Sequence, residues 1–227
     1  GCGLARIQQH RPGAGDLVDI LRCQGRDAGK VLQDVERGTL GRQQAARRAG
    51  VRFAYLKATQ GERLVDAFFE RNARGALEAG IVIGAYHFWS QRGDSGRQAE
   101  HFAATTCGVP LLLPPVLDVE GERVFSARET NARLAEQLIS MDAATGRQVA
   151  VYSSARIWRE WGLSVGEDRL AWLVGWSVGA PSPRVEPWGR WWLWQTGYGA
   201  GLPGFEGDVD RNLMRPDDFD GLKGMAA

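Results

Sequence analysis

Two features of the sequence predict an α/β fold built on a mainly parallel sheet. From residue 51 onward, short apolar runs rich in β-branched and aromatic residues alternate with amphipathic runs of helical spacing. The apolar runs have no polar face, which is typical of strands that helices cover on both sides. Because the 227 residues contain neither an internal repeat nor a low-complexity linker, we expect a single domain.

The predicted elements follow one another in a regular order. The strands are apolar and cover residues 17–21, 51–57, 81–88, 116–120, 149–153, 171–176 and 191–195. The helices carry apolar residues at helical spacing and cover residues 65–78, 94–106 and 126–144. Ser126 and Glu129 form an S-x-x-E capping box at the start of the third helix. Gly80 and Gly146 stand just past the ends of the first and third helices, where glycine commonly stops a helix.

The expected domain covers residues 17–220. Residues 1–16 contain turn-forming residues and are expected to be an N-terminal extension that could be flexible. Residues 221–227 are expected to be an unstructured tail.

The charge and cysteine content argue against several classes of function. The chain has 28 Lys and Arg residues against 27 Asp and Glu residues, and this formal charge of +1 gives no overall field that favours nucleic acid or an anionic membrane. No uncharged apolar run approaches the roughly 20 residues needed to span a bilayer. Cys2, Cys23 and Cys107 form no CxxC or Cys/His pattern, so neither a disulfide framework nor a zinc site is indicated. Gly1-Cys2 resembles the lipid-attachment point of a bacterial lipoprotein, which makes a lipid anchor at Cys2 one possibility.

The most informative segment is Pro114 to Glu120, an apolar run that ends in two acids one residue apart. In a strand, Asp118 and Glu120 would point to the same side, roughly 6.5 to 7 Å apart at the backbone. Crowding of like charges raises the pKa of one carboxyl of such a pair, and a protonated acid beside an ionised one can cleave a glycosidic bond. The alternative is a strand end with two solvated acids.

Polar residues stand at the C-terminal ends of five of the predicted strands. They are Lys57, His87, Asp118 with Glu120, Tyr152 with Ser153, and Gln195. In a closed α/β barrel these ends meet on one face, which is where such barrels carry their chemistry. The pattern predicts a shared cleft.

Tryptophan is frequent near the C-terminus. Five of the nine tryptophans fall within twenty residues, at positions 176, 188, 191, 192 and 194. Aromatic rings pack on the apolar faces of sugars, but tryptophan is also a large core residue, and both interpretations stay open.

Several segments together resemble family 25 glycoside hydrolases, the bacterial and phage lysozymes (N-acetylmuramidases) related to the Chalaropsis-type enzyme. The matching segments are residues 53–61 (FAYLKATQG), 84–88 (GAYHF), 115–120 (PVLDVE), 151–153 (VYS), 194–195 (WQ) and 209–212 (VDRN). The resemblance implies an irregular, flattened (β/α) barrel of eight strands, similar to a TIM barrel.

By this resemblance Glu120 would be the general acid that protonates the leaving sugar oxygen and later the base that activates water. Asp118 would be its ionised partner, stabilising the substrate's own 2-acetamido group as it attacks the anomeric carbon. Asp210 would be a further acid at the rim of the cleft, with a turn-capping role as the alternative.

Four further residues stand where the family lines its sugar subsites, and for each of them core packing is the alternative. They are Tyr86, Tyr152, Trp176 and Gln195. His87 is left out of the catalytic set, because a single histidine at a strand end beside a complete acid pair is more often a structural hydrogen-bonding group.

The first strand departs from the family pattern G-I-D-V-S-x-x-Q-G, whose Asp belongs to the active site. The nearest segment here is residues 18–25 (VDILRCQG), in which Leu21 replaces the serine and Cys23 an aromatic residue. This alignment makes Asp19 the active-site acid. Asp34 fits the spacing better but lacks the Gln-Gly, so it stays an alternative.

The function implied is hydrolysis of the β-1,4 bond between N-acetylmuramic acid and N-acetylglucosamine in peptidoglycan. The alternative is a cell-wall carbohydrate-binding protein that keeps the barrel but has lost turnover through its altered first strand. A chitinase-like barrel is disfavoured, because the chain has no D-x-x-D-x-D-x-E run. No metal or organic cofactor is implied, since acid/base hydrolysis needs only water and carboxyls. We expect a monomer that binds peptidoglycan glycan strands, of bacterial or phage origin, secreted or associated with the cell envelope.

Overall fold

The computed structural model describes residues 18–23, 39–175, 187–199, 201–205, 209–214 and 218, with residues 18–23, 39–40 and 198–199 described through their backbone only. The strands are β1 (Val18–Cys23), β2 (Phe53–Gln60), β3 (Leu64–Val65), β4 (Val82–Phe88), β5 (Val116–Asp118), β6 (Ala150–Ser154), β7 (Ala171–Val174), β8 (Leu193–Gly199) and β9 (Val209–Met214). The helices are α1 (Thr39–Arg48), α2 (Phe69–Glu78), α3 (Ser95–Thr106), α4 (Ala127–Thr145) and α5 (Ala155–Trp161).

Eight of these strands close into a barrel. Their order is β1-β9-β8-β7-β6-β5-β4-β2, and β1 also pairs with β2, which joins the two ends. All neighbouring pairs in the ring are parallel except those of β9, which runs antiparallel to β1 and β8. β3 forms an antiparallel hairpin on β2 outside the ring. The predicted α/β barrel is therefore confirmed, with an antiparallel last strand as its irregularity.

The core has two layers, on the inside and the outside of the barrel wall. The inner layer contains no residue of the five helices, and its large members include Phe53, Tyr55, Tyr86, Tyr152 and Trp172. The outer layer joins alternate strand residues such as Leu117 and Val151 to helix residues such as Phe102 and Leu134. Strands buried on both faces explain why the apolar runs in the sequence lack a polar side.

Local signals set the helix ends as predicted. The Asp94 side chain caps α3 by accepting from the Arg97 backbone N–H (2.8 Å), and Ser126 caps α4 by accepting from the Glu129 N–H (3.2 Å). Gly146 ends α4 in the left-handed conformation with φ +67°, which glycine adopts without the steric cost of a Cβ. Among the described residues, no helix is both long and apolar enough to cross a bilayer.

Three local predictions differ from the structure. Val65 belongs to β3 and is half exposed, so α2 begins only at Phe69; the backbone pairs of the hairpin take residues 64–65 out of the helix. The strand predicted at 116–120 ends at Asp118. α5 and β9 were not predicted, since one is only seven residues long and the other mixes polar and apolar residues.

Candidate active site

The segment that carries the two acids is held in an extended course beyond the end of β5. The backbone N–H of Val119 donates to Tyr152 O (2.9 Å), and Ser153 Oγ donates to Val119 O (2.8 Å). On the other side, Trp89 N donates to Asp118 O (3.1 Å). The neighbouring strands therefore fix the backbone of Asp118 and Val119, on which the position of Glu120 depends.

Asp118 lies on the side of this segment that faces the barrel interior. Leu117 and Val119 pack in the outer layer and Val116 packs in the inner layer. Because side chains alternate along a strand, Asp118 follows Val116 on the inner side, and Glu120 comes two residues later, beyond the last residue of β5. Asp118 is fully buried, whereas Glu120 is only partly buried. The pair therefore combines an acid enclosed by protein with an acid that solvent or a ligand can reach.

Asp210 stands on the opposite wall. β9 is four strands away from β5 in either direction around the ring, and Asp210 lies within β9. Asn212 and Met214, two and four residues on, belong to the barrel interior. The same alternation places Asp210 on the interior side, facing the wall that carries Asp118.

Tyr152 and Gln195 form a hydrogen-bonded pair inside the barrel. The Tyr152 hydroxyl donates to Gln195 Oε1 at 2.8 Å, and both side chains are almost completely buried. This bond occupies the tyrosine proton and one acceptor of the amide. Tyr86 is also buried, and its strand position pairs with Lys57 and Val116. Three of the four predicted subsite residues thus lie in the inner layer; the fourth, Trp176, falls outside the described residues.

Sequence reasoning gave no role to a second pair in the same layer. Trp172 Nε1 donates to Asn212 Oδ1 at 2.7 Å, and both residues are fully buried. The Trp172 ring lies 4.9 Å from that of Tyr55 and 5.0 Å from that of Tyr152, between centroids. The only sequence signal for this pair was the position of Asn212 in the VDRN segment. Trp172 therefore links the β9 wall to the aromatic layer beneath the acids.

Two residues at strand ends lie outside the expected cleft. His87 is fully buried between β4 and α3, with Nδ1 2.7 Å from Thr59 Oγ1 and Nε2 3.2 Å from Gln98 Oε1. Burial lowers the pKa of His87 to about 4. Its structural hydrogen-bonding role is confirmed. Ser153 also points away from the interior, toward Val119 O. The shared-cleft prediction was wrong for these two, because strand alternation sends them to the helix side.

The loop after Glu120 is held by one side chain of the β4–α3 loop. Gln91 Nε2 donates to Glu122 O (2.8 Å), and Gln91 Oε1 accepts from the Val124 N–H (3.0 Å). Gln91 is buried, and Arg133 of α4 donates to its backbone oxygen (3.4 Å). Both ends of the acid-bearing segment are therefore tied to neighbouring elements. No group of three or more His, Cys, Asp and Glu residues within the described ranges could hold a metal ion.

Comparison with known proteins identifies the family to which this chain belongs. The family model for glycosyl hydrolases family 25 matches residues 34–202. The chain belongs to this family. Lysozyme M1 of Streptomyces globisporus is 35% identical over 179 residues, which cover 72% of this chain and 60% of that protein. The sequence-based assignment to family 25 is confirmed.

Solved structures of the family have the same fold. A bacterial lysozyme from Streptomyces coelicolor superposes with a TM-score of 0.72 at 26% identity, covering 90% of this chain and 94% of its own. A family 25 glycosyl hydrolase from Bacillus anthracis has a TM-score of 0.73 at 21% identity, covering 96% and 99%. The match to Lysozyme M1 spans only about three fifths of that protein's length.

Three of the expected site residues lie where the structure describes no side chain. Asp19 lies in β1, where its backbone pairs with Leu213, and it precedes the stretch that the family model matches. Asp34 is the first matched residue, but like Trp176 it falls outside the described residues. The choice between Asp19 and Asp34 therefore stays a prediction.

Proposed function

We propose that this protein is a lysozyme that hydrolyses the β-1,4 bond between N-acetylmuramic acid and N-acetylglucosamine in peptidoglycan. The observation that carries the proposal is the pair at the end of β5, a buried Asp118 and, two residues later, a partly exposed Glu120. Both acids stand at the carboxyl-terminal face of the barrel, where α/β barrels carry their active sites. Membership of family 25 and the similarity to Lysozyme M1 support the same function.

Glu120 is the proposed general acid and base. In the first step its proton goes to the glycosidic oxygen as the bond to the anomeric carbon breaks, so that the departing sugar leaves as an alcohol. In the second step its carboxylate takes a proton from the attacking water. This role requires access to substrate, which the partial exposure of Glu120 allows.

Asp118 is the proposed partner in substrate-assisted cleavage. Its carboxylate would accept a hydrogen bond from the N–H of the 2-acetamido group, which makes the acetamido oxygen a better nucleophile toward the anomeric carbon. The acetamido oxygen forms a bond to the anomeric carbon as the bond from that carbon to the leaving sugar breaks. Water later attacks the anomeric carbon and displaces the acetamido oxygen. Enclosure by the barrel suits Asp118 to this role, because a low dielectric strengthens its interaction with charge that develops in the transition state.

The remaining predicted residues take supporting roles in the proposal. Asp210 approaches the sugar from the opposite wall, and Asp19 is the first-strand acid, with Asp34 as its alternative. Tyr86, Tyr152, Gln195 and Trp176 would line the sugar subsites. Because Tyr152 and Gln195 already bond to each other, we infer that they act by shaping the floor of the cleft. Peptidoglycan is the proposed partner, and the protein would act as a secreted or cell-envelope monomer.

The decisive experiment compares Glu120→Gln with Glu122→Gln on purified peptidoglycan. Glu122 is an exposed acid two residues away, so its substitution makes the same chemical change outside the proposed site. We expect Glu120→Gln to reduce the release of reducing sugar at least 100-fold, in line with the loss of a general acid, and Glu122→Gln to leave it within a fewfold of wild type. Equal activity of the two variants would remove Glu120 from the mechanism.

Mass spectrometry of the fragments then identifies the bond. A muramic acid reducing end supports the proposal, and a glucosamine reducing end would mean that a different bond is cut. If the wild-type protein binds peptidoglycan but releases no fragments, the carbohydrate-binding alternative is correct.

A further inference from the structure

We propose that a groove beside the acid pair binds the carboxylates of the peptide stem that peptidoglycan carries on its muramic acid residues. The groove has a volume of about 460 Å³ and is formed by residues 60–64, at the β2–β3 turn, together with Ser90, Arg92 and Gly93 after β4. This volume lies in the range of small-ligand sites. The inference rests on the proposed function, because it assumes that a glycan strand passes over Glu120.

The barrel register places this groove next to the acids. Phe88 pairs with Gln60 on one side and with Asp118 on the other. With neighbouring strands about 4.8 Å apart, the backbone of Gln60 is about 10 Å from that of Asp118. Trp89 N donates to Asp118 O, so Ser90 follows directly beside the segment that carries Glu120. A substituent that projects from a sugar bound at Glu120 across the end of β4 would therefore enter the groove.

Two cations, Arg63 and Arg92, and one acid, Glu62, line the groove. Arg63 and Arg92 are exposed, and neither has an ion-pair partner in the described part of the chain. The guanidinium of Arg92 lies over the Phe125 ring, 5.8 Å from its centroid, which holds the charge on the side of the acid-bearing loop. Guanidinium groups bind carboxylates with two parallel hydrogen bonds, so this pair suits an anionic chain with more than one carboxylate.

Glu62, which lines the groove, and Asp94, which lies next to it, already have partners within the protein. Glu62 accepts a hydrogen bond from Asp94 N (2.8 Å) and lies 3.8 Å from Arg97. Asp94 caps α3 by accepting from Arg97 N (2.8 Å). Glu62 and Asp94 therefore contact the backbone and the Arg97 side chain at the start of α3, and Arg63 and Arg92 remain available to a ligand. The half-exposed side chain of Leu64 adds an apolar contact for the small side chains of a peptide.

The peptide stem fits this site better than a separate anionic polymer. A glycan of N-acetylglucosamine carries no charge. In a strand that carries its stems, the lactyl carboxyl of muramic acid forms the amide to the peptide, so the carboxylates belong to the peptide. The stem is covalently joined to the sugar that Glu120 would act on, so it reaches the groove at high effective concentration and even weak contacts contribute to binding. The groove would thereby favour glycan strands that still carry their peptides.

The test uses the double variant Arg63→Gln/Arg92→Gln and the matched control Arg74→Gln/Arg156→Gln. The control arginines are exposed, pair with Glu70 and Glu160 on α2 and α5, and lie outside the groove. Both variants lose two positive charges, so any effect of net charge is the same. The substrates are purified peptidoglycan strands with their stems, and the same strands after an amidase has removed the peptides. The amidase leaves one lactyl carboxylate on each muramic acid, held close to the sugar ring and without the peptide that would extend into the groove.

On strands with stems, we expect kcat/KM of the groove variant to fall about 2- to 30-fold, the effect of losing two exposed ion pairs. On stripped strands it should stay within twofold of wild type, and the control should match wild type on both substrates. Added salt should reduce the wild-type preference for strands with stems, because it screens exposed charges. An equal fall on both substrates, an equal fall in the control, or no fall would overturn the proposal.

A binding measurement separates this proposal from the proposed function. If wild type cuts neither substrate, the hydrolase proposal fails, and co-sedimentation with both kinds of strand still tests the groove. Tighter binding of strands with stems by wild type, lost in the groove variant alone, supports the stem site. Equal binding of both kinds of strand by wild type refutes it.

Discussion

Mild acid should destabilise this protein through His87, which is buried as a neutral imidazole. Gln98 Nε2 donates to Ser90 O (3.1 Å), so its Oε1 faces His87 Nε2 and must receive a proton from it. Thr59 Oγ1, 2.7 Å from Nδ1, then donates to the unprotonated ring nitrogen. Both ring nitrogens are satisfied without a positive charge.

The size of the effect follows from the pKa of His87. Burial lowers this pKa from 6.5 to about 4; the hydrogen bond with Gln98 raises it, and the positive charges of His101 and Lys57 lower it further. The unfolded chain therefore takes up its proton at a higher pH than the folded protein does. The stability that His87 contributes is complete above pH 6.5 and is lost as the pH falls toward 4. The expected loss in the free energy of unfolding is about 2 kcal/mol by pH 5.

Urea unfolding at pH 7.5 and pH 5, followed by tryptophan fluorescence, measures this difference. We expect a lower midpoint at pH 5 with an unchanged slope. In His87→Gln, which has no imidazole to titrate, the difference between the two pH values should shrink by about the same 2 kcal/mol. His101→Gln, on α3 and only partly buried, is the matched control and should keep it.

The wild-type measurement stands by itself if His87→Gln does not fold. An unfolding free energy that agrees at the two pH values within about 0.5 kcal/mol would contradict the buried neutral histidine. An undiminished pH dependence in a folded His87→Gln variant would assign the effect to another group.

Three further predictions address the loop, the packing and the first strand. Gln91→Leu removes both hydrogen bonds from the Gln91 side chain to the loop after the acid pair. We expect kcat to fall about tenfold with KM nearly unchanged. A change in KM alone would argue against a positioning role for Gln91. Gln137 on α4 is fully buried, and neither amide atom has a hydrogen-bond partner in the described part of the chain. Gln137→Met should therefore raise the free energy of unfolding, measured by urea titration, by about 1 to 3 kcal/mol. A lower urea midpoint in this variant would contradict the prediction. Assayed side by side, Asp19→Asn and Asp34→Asn should differ, with a loss of at least about 100-fold in the one that lines the site, and full activity of both would exclude both alignments.

Local chemistry made much of the fold predictable. The capping residue Ser126 and the stop at Gly146 act on backbone groups within a few positions, so the ends of α4 followed from the sequence. Alternation with a period of two likewise predicted that Asp118 and Glu120 share one side before any partner strand was known. The hairpin at residues 64–65 was missed because it depends on pairing with β2 rather than on its own composition.

Which polar residues meet inside the barrel could not be predicted in this way. Tyr152 and Gln195 are 43 positions apart, and Trp172 and Asn212 are 40 apart. Their contacts depend on how the strands are staggered around the ring, and a shift of one residue would send each side chain to the other face. The same dependence explains why His87, which ends an apolar run like the others, lies on the helix side.

By itself, the sequence determined the α/β class, the family, and the acid pair, because these depend on short-range periodicity and on side chains close together in the chain. The tertiary structure alone decided that Asp118 is enclosed while Glu120 is accessible and that Asp210 comes from the opposite wall. It also placed near them a groove lined by Arg63 and Arg92, which have no ion-pair partner among the described residues. The physical reason is that exposure and proximity across a closed barrel depend on strand register and curvature, which are set by contacts between residues far apart in the sequence.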